Sequence, residues 1–156
     1  AEDGIRDSST SRGLGVVYKR QGAAGGLGFA FLTFFHATLE SGVNIILEET
    51  HLSDYIKNAD IVITGEGCLD GQTVMGKAPV GVAKIAREFQ KPVLAFSGCV
   101  TEDAKACHAA GIDAFFPIVR GVISLEDAMQ TDHAKQNMTD TVEQVFRMLR
   151  TFQNIK

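Results

Sequence analysis

This chain has little of what would tie it to nucleic acid, to an oxidising compartment or to a membrane. Fifteen Lys and Arg against 19 Asp and Glu leave a net charge of −4 and a pI near 5.5. That argues against nucleic acid as the main partner, because binding a phosphate backbone takes a basic face. A small anion stays compatible, since local dipoles and one lysine overrule a mildly acidic surface. The three cysteines, Cys68, Cys99 and Cys107, are odd in number and have no CxxC spacing, and no secretory-signal pattern accompanies them. Neither a disulfide framework nor a zinc site is expected, and the expected compartment is cytoplasmic. The longest apolar-rich run, Leu27 to Leu39, is too short to span a bilayer and contains Thr33, His36 and Thr38. It reads as a core helix.

At 156 residues, 45% hydrophobic and 22% charged, the chain has the composition and length of one soluble globular domain with a sizeable core. Residues 1–21 stand apart. They mix Asp, Arg, Ser and Gly without an apolar period, which is the composition of a disordered tail, and the string also resembles translated sequencing-adapter read-through. The fold expectation therefore concerns residues 22–156 and includes no internal repeat and no inter-domain linker.

Within that part, Ile61 to Pro79 gathers the chemistry. An apolar strand, Ile61 to Thr64, leads into a loop with glycines, two carboxylates, an amide, a hydroxyl and a lysine, and a helix follows from Pro79. Glycines let backbone N–H groups approach a ligand, carboxylates hold a metal or take a proton, and a lysine at a helix entrance reinforces the positive end of the dipole. Such a loop is costly unless something binds there.

Around it the pattern is regular. A helix is expected to open in the small residues of Gly22–Gly28 and to run to about Glu40, stopped by Ser41-Gly42 as a glycine C-cap, then two short helices broken near His51, with a strand at Ile45 to Leu47 as the alternative. After the first strand come a helix over Pro79–Gln90, a strand over Val93–Ser97, a helix over Glu102–Ala110 and a strand over Ala114–Ile118. Ser124 with Glu126 and Asp127 opens a short helix. A last helix, Asp132 to Phe152, turns Val142, Val145, Phe146 and Leu149 to the sheet. Strands without polar alternation, joined by amphipathic helices, indicate an α/β fold: a partial parallel sheet with helices on both faces, its ligand site at the strand C-terminal ends.

Gly71 to Lys77 matches the phosphate-loop pattern GxxxxGK[ST] except that Ala78 stands where the magnesium-binding hydroxyl belongs. The loop also starts too far beyond the strand, so the match reads as coincidence, although Gly76 and Lys77 still suit an anion. Glu66 and Asp70, four residues apart, are close enough to share one magnesium ion or to divide metal and proton between them, the bland alternative being helix caps. Phosphoryl transfer fits this set best. His36, His51, His108 and His133 read as packing or surface residues, and Ser97 as a weak ligand candidate outside any GxSxG elbow.

Gly22-Ala-Ala-Gly-Gly-Leu-Gly28, Asp60-Ile-Val-Ile-Thr-Gly-Glu-Gly67, Leu69-Asp70 with Gln72-Thr73, and Gly76-Lys77-Ala78-Pro79 with Gly81-Val82-Ala83, in this order and at ordinary spacing, resemble the bacterial glycerate kinase family from Gly22 to about Phe152. The resemblance implies ATP-dependent phosphorylation of D-glycerate with Mg2+ as cofactor, in a two-domain α/β kinase more than twice this length with its site in the interdomain cleft. This chain then corresponds to the C-terminal part and is expected to be inactive as a fragment. The family's Asp-Ser-Phe-Lys-Gly type motif is absent, and Tyr18-Lys19-Arg20-Gln21 stand in place of its Pro-Gly-Ala-Gly lead-in. By resemblance, Glu66 and Asp70 are catalytic or metal-binding, Thr64, Gly65, Gly67, Gln72, Thr73 and Lys77 bind substrate, and Gly22, Gly25, Gly26 and Gly28 bind nucleotide. The alternatives are a non-catalytic small-anion binding module of flavodoxin-like shape and a truncated gene product without independent function.

Overall fold

In the computed structural model the described residues are 27–38 and 40–153, so the expected tail at 1–21 lies outside them, as do Gly22, Gly25 and Gly26. The chain divides into two compact units, residues 1–40 and 41–156.

In the first unit, helix α1 spans Leu27–Phe34. The sequence suggested continuation to Glu40. Instead His36 takes a left-handed φ of 51°, and the N–H groups of Phe35 and Ala37 both donate to the Phe31 carbonyl at 3.1 Å. A left-handed residue ends the right-handed ladder, and histidine is among the residues that tolerate that conformation. Ser41-Gly42 is accordingly not the C-cap of this helix: Ser41 is the extended residue preceding α2, Gly42–Glu49. Nor does α1 read as a core helix, since Leu27, Phe31, Phe34 and Phe35 are exposed.

The second unit continues with α3 (Leu52–Lys57), reached through His51 at φ 51°, so the break near that residue is where the sequence puts it. Strands β1 (Val62–Leu69), β2 (Val93–Val100) and β3 (Ala114–Pro117) form one parallel sheet in the order β1-β2-β3. Helix α4 (Ala78–Glu88) connects the first pair. A 3₁₀ turn (Glu102–Lys105) running into α5 (Ala106–Ala109) connects the second, where one continuous helix was expected. Then come α6 (Leu125–Ala128), whose N–H at Asp127 is capped by Ser124 Oγ as its sequence suggests, and α7 (Thr131–Gln153).

Side-chain alternation along β2 builds a core on each face. Val93 and Ala95 pack with Val80, Ala83 and Ala86 of α4, Cys107 of α5 and Ile112. Leu94 and Phe96 pack with Ile118 and with Val145 of α7, Val142 and Leu149 adding to the contact. Helices therefore cover both faces. Phe146, expected on the sheet side of α7, is exposed instead. Among the described residues no helix is long and apolar enough to cross a membrane.

Helices α4 and α5 end alike. Lys91 N–H donates to Ala86 O at 2.9 Å and Gln90 N–H to Arg87 O at 3.0 Å; Ile112 N–H and Gly111 N–H repeat the pattern to Cys107 O and His108 O, each at 3.1 Å. Both are Schellman closures, which need a left-handed residue. Gly111 supplies it without strain at φ 110°, whereas Gln90 adopts φ 54° with a side chain attached. Replacing Gln90 by glycine should therefore stabilise the protein by about 1 kcal/mol, read as a higher urea midpoint at unchanged slope. A lower midpoint would mean that the Gln90 side chain contributes more than its backbone conformation costs.

Candidate active site

The site begins inside the sheet. Strand β1 was expected to stop at Thr64, yet pairing continues through Glu66↔Ser97 and Cys68↔Cys99 to Leu69↔Val100, so Thr64, Gly65, Glu66 and Gly67 are strand residues rather than loop. The glycines permit this. A side chain at Gly65 would run into the Phe96 carbonyl, and a Cβ on Gly98 would lie 2.7 Å from Gly67 O, so here the missing side chains admit the neighbouring strand. Leu69, fully buried, anchors the strand end; burying a leucine this way contributes about 1.5–3 kcal/mol. Its carbonyl accepts from Thr101 N at 2.9 Å and from Thr101 Oγ1 at 3.1 Å.

Beyond Leu69 the chain turns on Asp70. Asp70 Oδ1 accepts the N–H of Gln72 at 2.9 Å and of Thr73 at 3.0 Å, while Asp70 N–H donates back to Thr73 Oγ1 at 3.1 Å. This reciprocal cap starts the 3₁₀ turn Thr73–Met75. Thr73, fully buried, donates its hydroxyl to Glu66 Oε1. The turn closes at Gly76, and Lys77, the residue before α4, brings Nζ back to 3.0 Å from Asp70 Oδ1 and 3.8 Å from Glu66 Oε2.

Glu66, Asp70, Thr73 and Lys77 thus converge. The Lys77 hydrogen bond, opposed by partial burial, holds the Asp70 carboxyl below its ordinary range. Reciprocally, Asp70 raises Lys77, again against desolvation, with the Glu66 charge adding to the rise. Behind the turn Cys107 points its thiol at the Asp70 carbonyl at 3.9 Å, and burial pushes that thiol's pKa up.

Other residues singled out by the sequence do not join this cluster. Gln72 takes part through its backbone N–H, its side chain being exposed. Thr64 is half-buried, two residues earlier on β1. Gly28 sits on α1 in the other unit. Ser97 is buried with its hydroxyl donated to Cys99 O at 2.6 Å, so its role is structural. His108 stacks on Phe115 with ring centroids 4.7 Å apart, and His133 Nδ1 lies 3.0 Å from Asp127 O.

The sequence also pointed to unpaired cysteines, whereas Cys68 and Cys99 are joined as a disulfide. No spacing rule reveals that pair, because strand register alone makes them opposite. Asp103, packed over Gly71, was likewise missed.

An open groove of about 790 Å³ lies between the sheet and the first half of α7, floored by Gly65, Gly67, Gly98 and Phe96 and edged by Met138 and Lys135; of the four converging residues it takes in Glu66. Among the described residues no group of three Asp, Glu, His or Cys could hold a metal by itself. Magnesium seldom asks for that: one or two carboxylates suffice when phosphates and water complete its shell. Asp70 Oδ2 accepts no hydrogen bond among the described residues, so the donor set fits an ion held jointly with a phosphorylated ligand.

Residues 5–150 match the Glycerate kinase family. The chain is 45% identical to a glycerate kinase of Haemophilus influenzae over 82% of its length and 33% of the relative's, and 45% identical to that of Bacillus subtilis over 80% and 32%. Against the glycerate 2-kinase of Escherichia coli the figures are 40% identity over 70% and 29%. A crystal structure from Salmonella typhimurium LT2, of a protein assigned as glycerate kinase 2, superposes with a TM-score of 0.65 at 37% identity, over 87% of this chain and 33% of that one. The chain spans about a third of the length of these relatives. It belongs to the glycerate kinase family.

Proposed function

We propose that the complete protein containing this chain transfers the γ-phosphoryl group of ATP to a hydroxyl of D-glycerate, and that the loop from Glu66 to Lys77 supplies its charged centre. The observation behind this reading is the meeting of Glu66, Asp70, Thr73 and Lys77 at the C-terminal edge of a parallel sheet, where open α/β folds place ligands. Relatives named glycerate kinase and glycerate 2-kinase supply the substrate class.

In the transfer, the substrate hydroxyl oxygen bonds to the γ-phosphorus as the bond from that phosphorus to the bridging oxygen breaks, and ADP departs. Glu66 accepts the hydroxyl proton, its Oε1 being oriented by Thr73. Asp70, kept ionised by Lys77, would hold magnesium, with Glu66 the other carboxylate in reach, and the ion would neutralise phosphate charge. Lys77 turns its ammonium to the migrating group, and the dipole of α4 behind it favours the same charge. Thr64, Gly65, Gly67 and the Gln72 amide are assigned to the substrate, and Gly22, Gly25, Gly26 and Gly28 to the nucleotide phosphates.

Magnesium-dependent ADP release that requires D-glycerate, measured on the complete protein, tests the activity. Binding of D-glycerate without turnover would favour the small-anion binding module. Asp70→Asn then separates charge from capping, because asparagine keeps the Oδ1 acceptor for Gln72 and Thr73 but loses the carboxylate. Turnover should fall by about 100-fold or more, the loss seen when charge-stabilising groups are removed from active sites, with little change in melting temperature. Near-normal turnover would make Asp70 a cap only.

The ion pair also sets a pH window. Asp70 lies below its ordinary 3.8, so its stabilisation is present above that value and is lost as pH falls through the lowered one. Lys77 lies above its ordinary 10.5, so its contribution is present below that value and is lost as pH rises through the raised one. The melting-temperature difference between wild type and Lys77→Met should be small, as for any half-exposed pair, flat between these limits, and should shrink beyond both. A difference unchanged in strong acid would show that Lys77 acts through packing rather than charge.

A further inference from the structure

Cys68 and Cys99 face each other across β1 and β2 with Cα atoms 4.7 Å apart, and their sulfurs are joined. Their position gives the bond a consequence. Cys68 lies midway between Glu66 and Asp70, the two carboxylates that Lys77 reaches, so the bond fastens to β2 the short segment that separates them. Cys99 is exposed and Cys68 half-buried, which gives an incoming reagent one accessible sulfur. Cys107, the remaining cysteine, is buried against the turn and stays outside the exchange.

We propose that the Cys68–Cys99 pair is a thiol–disulfide clamp that sets the mobility of the carboxylate loop according to the redox state of small thiols around it. Closing proceeds in two displacements. The Cys99 thiolate attacks one sulfur of a low-molecular-weight disulfide, whose S–S bond breaks and releases a thiolate. The Cys68 thiolate then attacks Cys99 Sγ in the mixed disulfide and expels the second small thiolate. Two protein thiols are oxidised, two protons leave, and one small disulfide is reduced to two thiols; reduction reverses each step. With the clamp closed, strand pairing around Leu69↔Val100 can fray only if both strands move together, and the turn that begins at Asp70 is held. With it open, pairing at the strand ends rests on hydrogen bonds and on Leu69 alone.

The clamp rests on the proposed function only for its use; its test needs no substrate. The complete protein is equilibrated with oxidised or with reduced glutathione, and amide hydrogen exchange is followed over residues 66–77 with the 68–99 linkage read by peptide mass. Exchange in this segment should run several-fold faster after reduction in wild type, and should be insensitive to glutathione in Cys99→Ser, which cannot form the bond. Absence of the 68–99 linkage in oxidised glutathione, or equal exchange in both states of wild type, would overturn the proposal. Turnover of D-glycerate, measured separately, bears on the activity and leaves this result standing either way.

Discussion

Two carboxylates brought within reach of one another repel, and the loop after β1 exists in this shape because one ammonium reaches both. Lys77 Nζ lies 3.0 Å from Asp70 and 3.8 Å from Glu66. Solvent screens an exposed pair of this kind, so it adds little to overall stability, but it biases which conformation a glycine-containing loop adopts. The lysine can do this only because the six residues between Asp70 and itself fold back through a 3₁₀ turn, and that turn forms because Asp70 caps it. The same carboxylate thus starts the turn and receives the lysine that the turn returns.

The sheet supplies the fixed frame. Strand β1 delivers Glu66 in register with Ser97 and ends on a buried leucine, so the position of Asp70 is set by core packing rather than by the loop itself. Helix α4 fixes the other end: Val80 packs with Val93 and Ala95, Pro79 is buried beside it, and Lys77 lies two residues before that proline. A loop held at both ends by apolar contacts tolerates charged residues in its middle, since the core bears the entropy of ordering them.

Much of this was legible in the sequence, for definite reasons. Unbroken apolar runs at Val93 and Ala114, a proline at the entrance to α4 and the Ser124 cap are local signals, and the elements they announce are present. The cluster of Glu66, Asp70, Thr73 and Lys77 was legible because all four lie within twelve consecutive residues, where a turn can hardly keep them apart. What failed was whatever depends on a neighbouring strand. Gly65 and Gly67 look like loop residues in isolation, but beside Phe96 and Gly98 they belong to a ladder. Cys68 and Cys99 are separated by 31 positions and meet through register. The end of α1 was missed because a left-handed histidine carries no glycine-like signature.

Asp70 was open to two readings, cap or charged participant, and the geometry makes them compatible. A carboxylate has two oxygens and several acceptor directions. Oδ1 takes the turn's two N–H groups and the lysine, and Thr73 Oγ1 is committed to Glu66 Oε1. The hydrogen bonds that shape the turn therefore fall on Asp70 Oδ1 and Glu66 Oε1. Among the described residues, Asp70 Oδ2 accepts no hydrogen bond and Glu66 Oε2 meets only the lysine, at ion-pair distance. A loop so divided has its internal contacts made without a ligand and leaves Asp70 Oδ2 outside them, so less remains to be arranged on binding. Preorganised charge of that kind is what phosphoryl transfer uses, because its transition state asks for placement more than for covalent help.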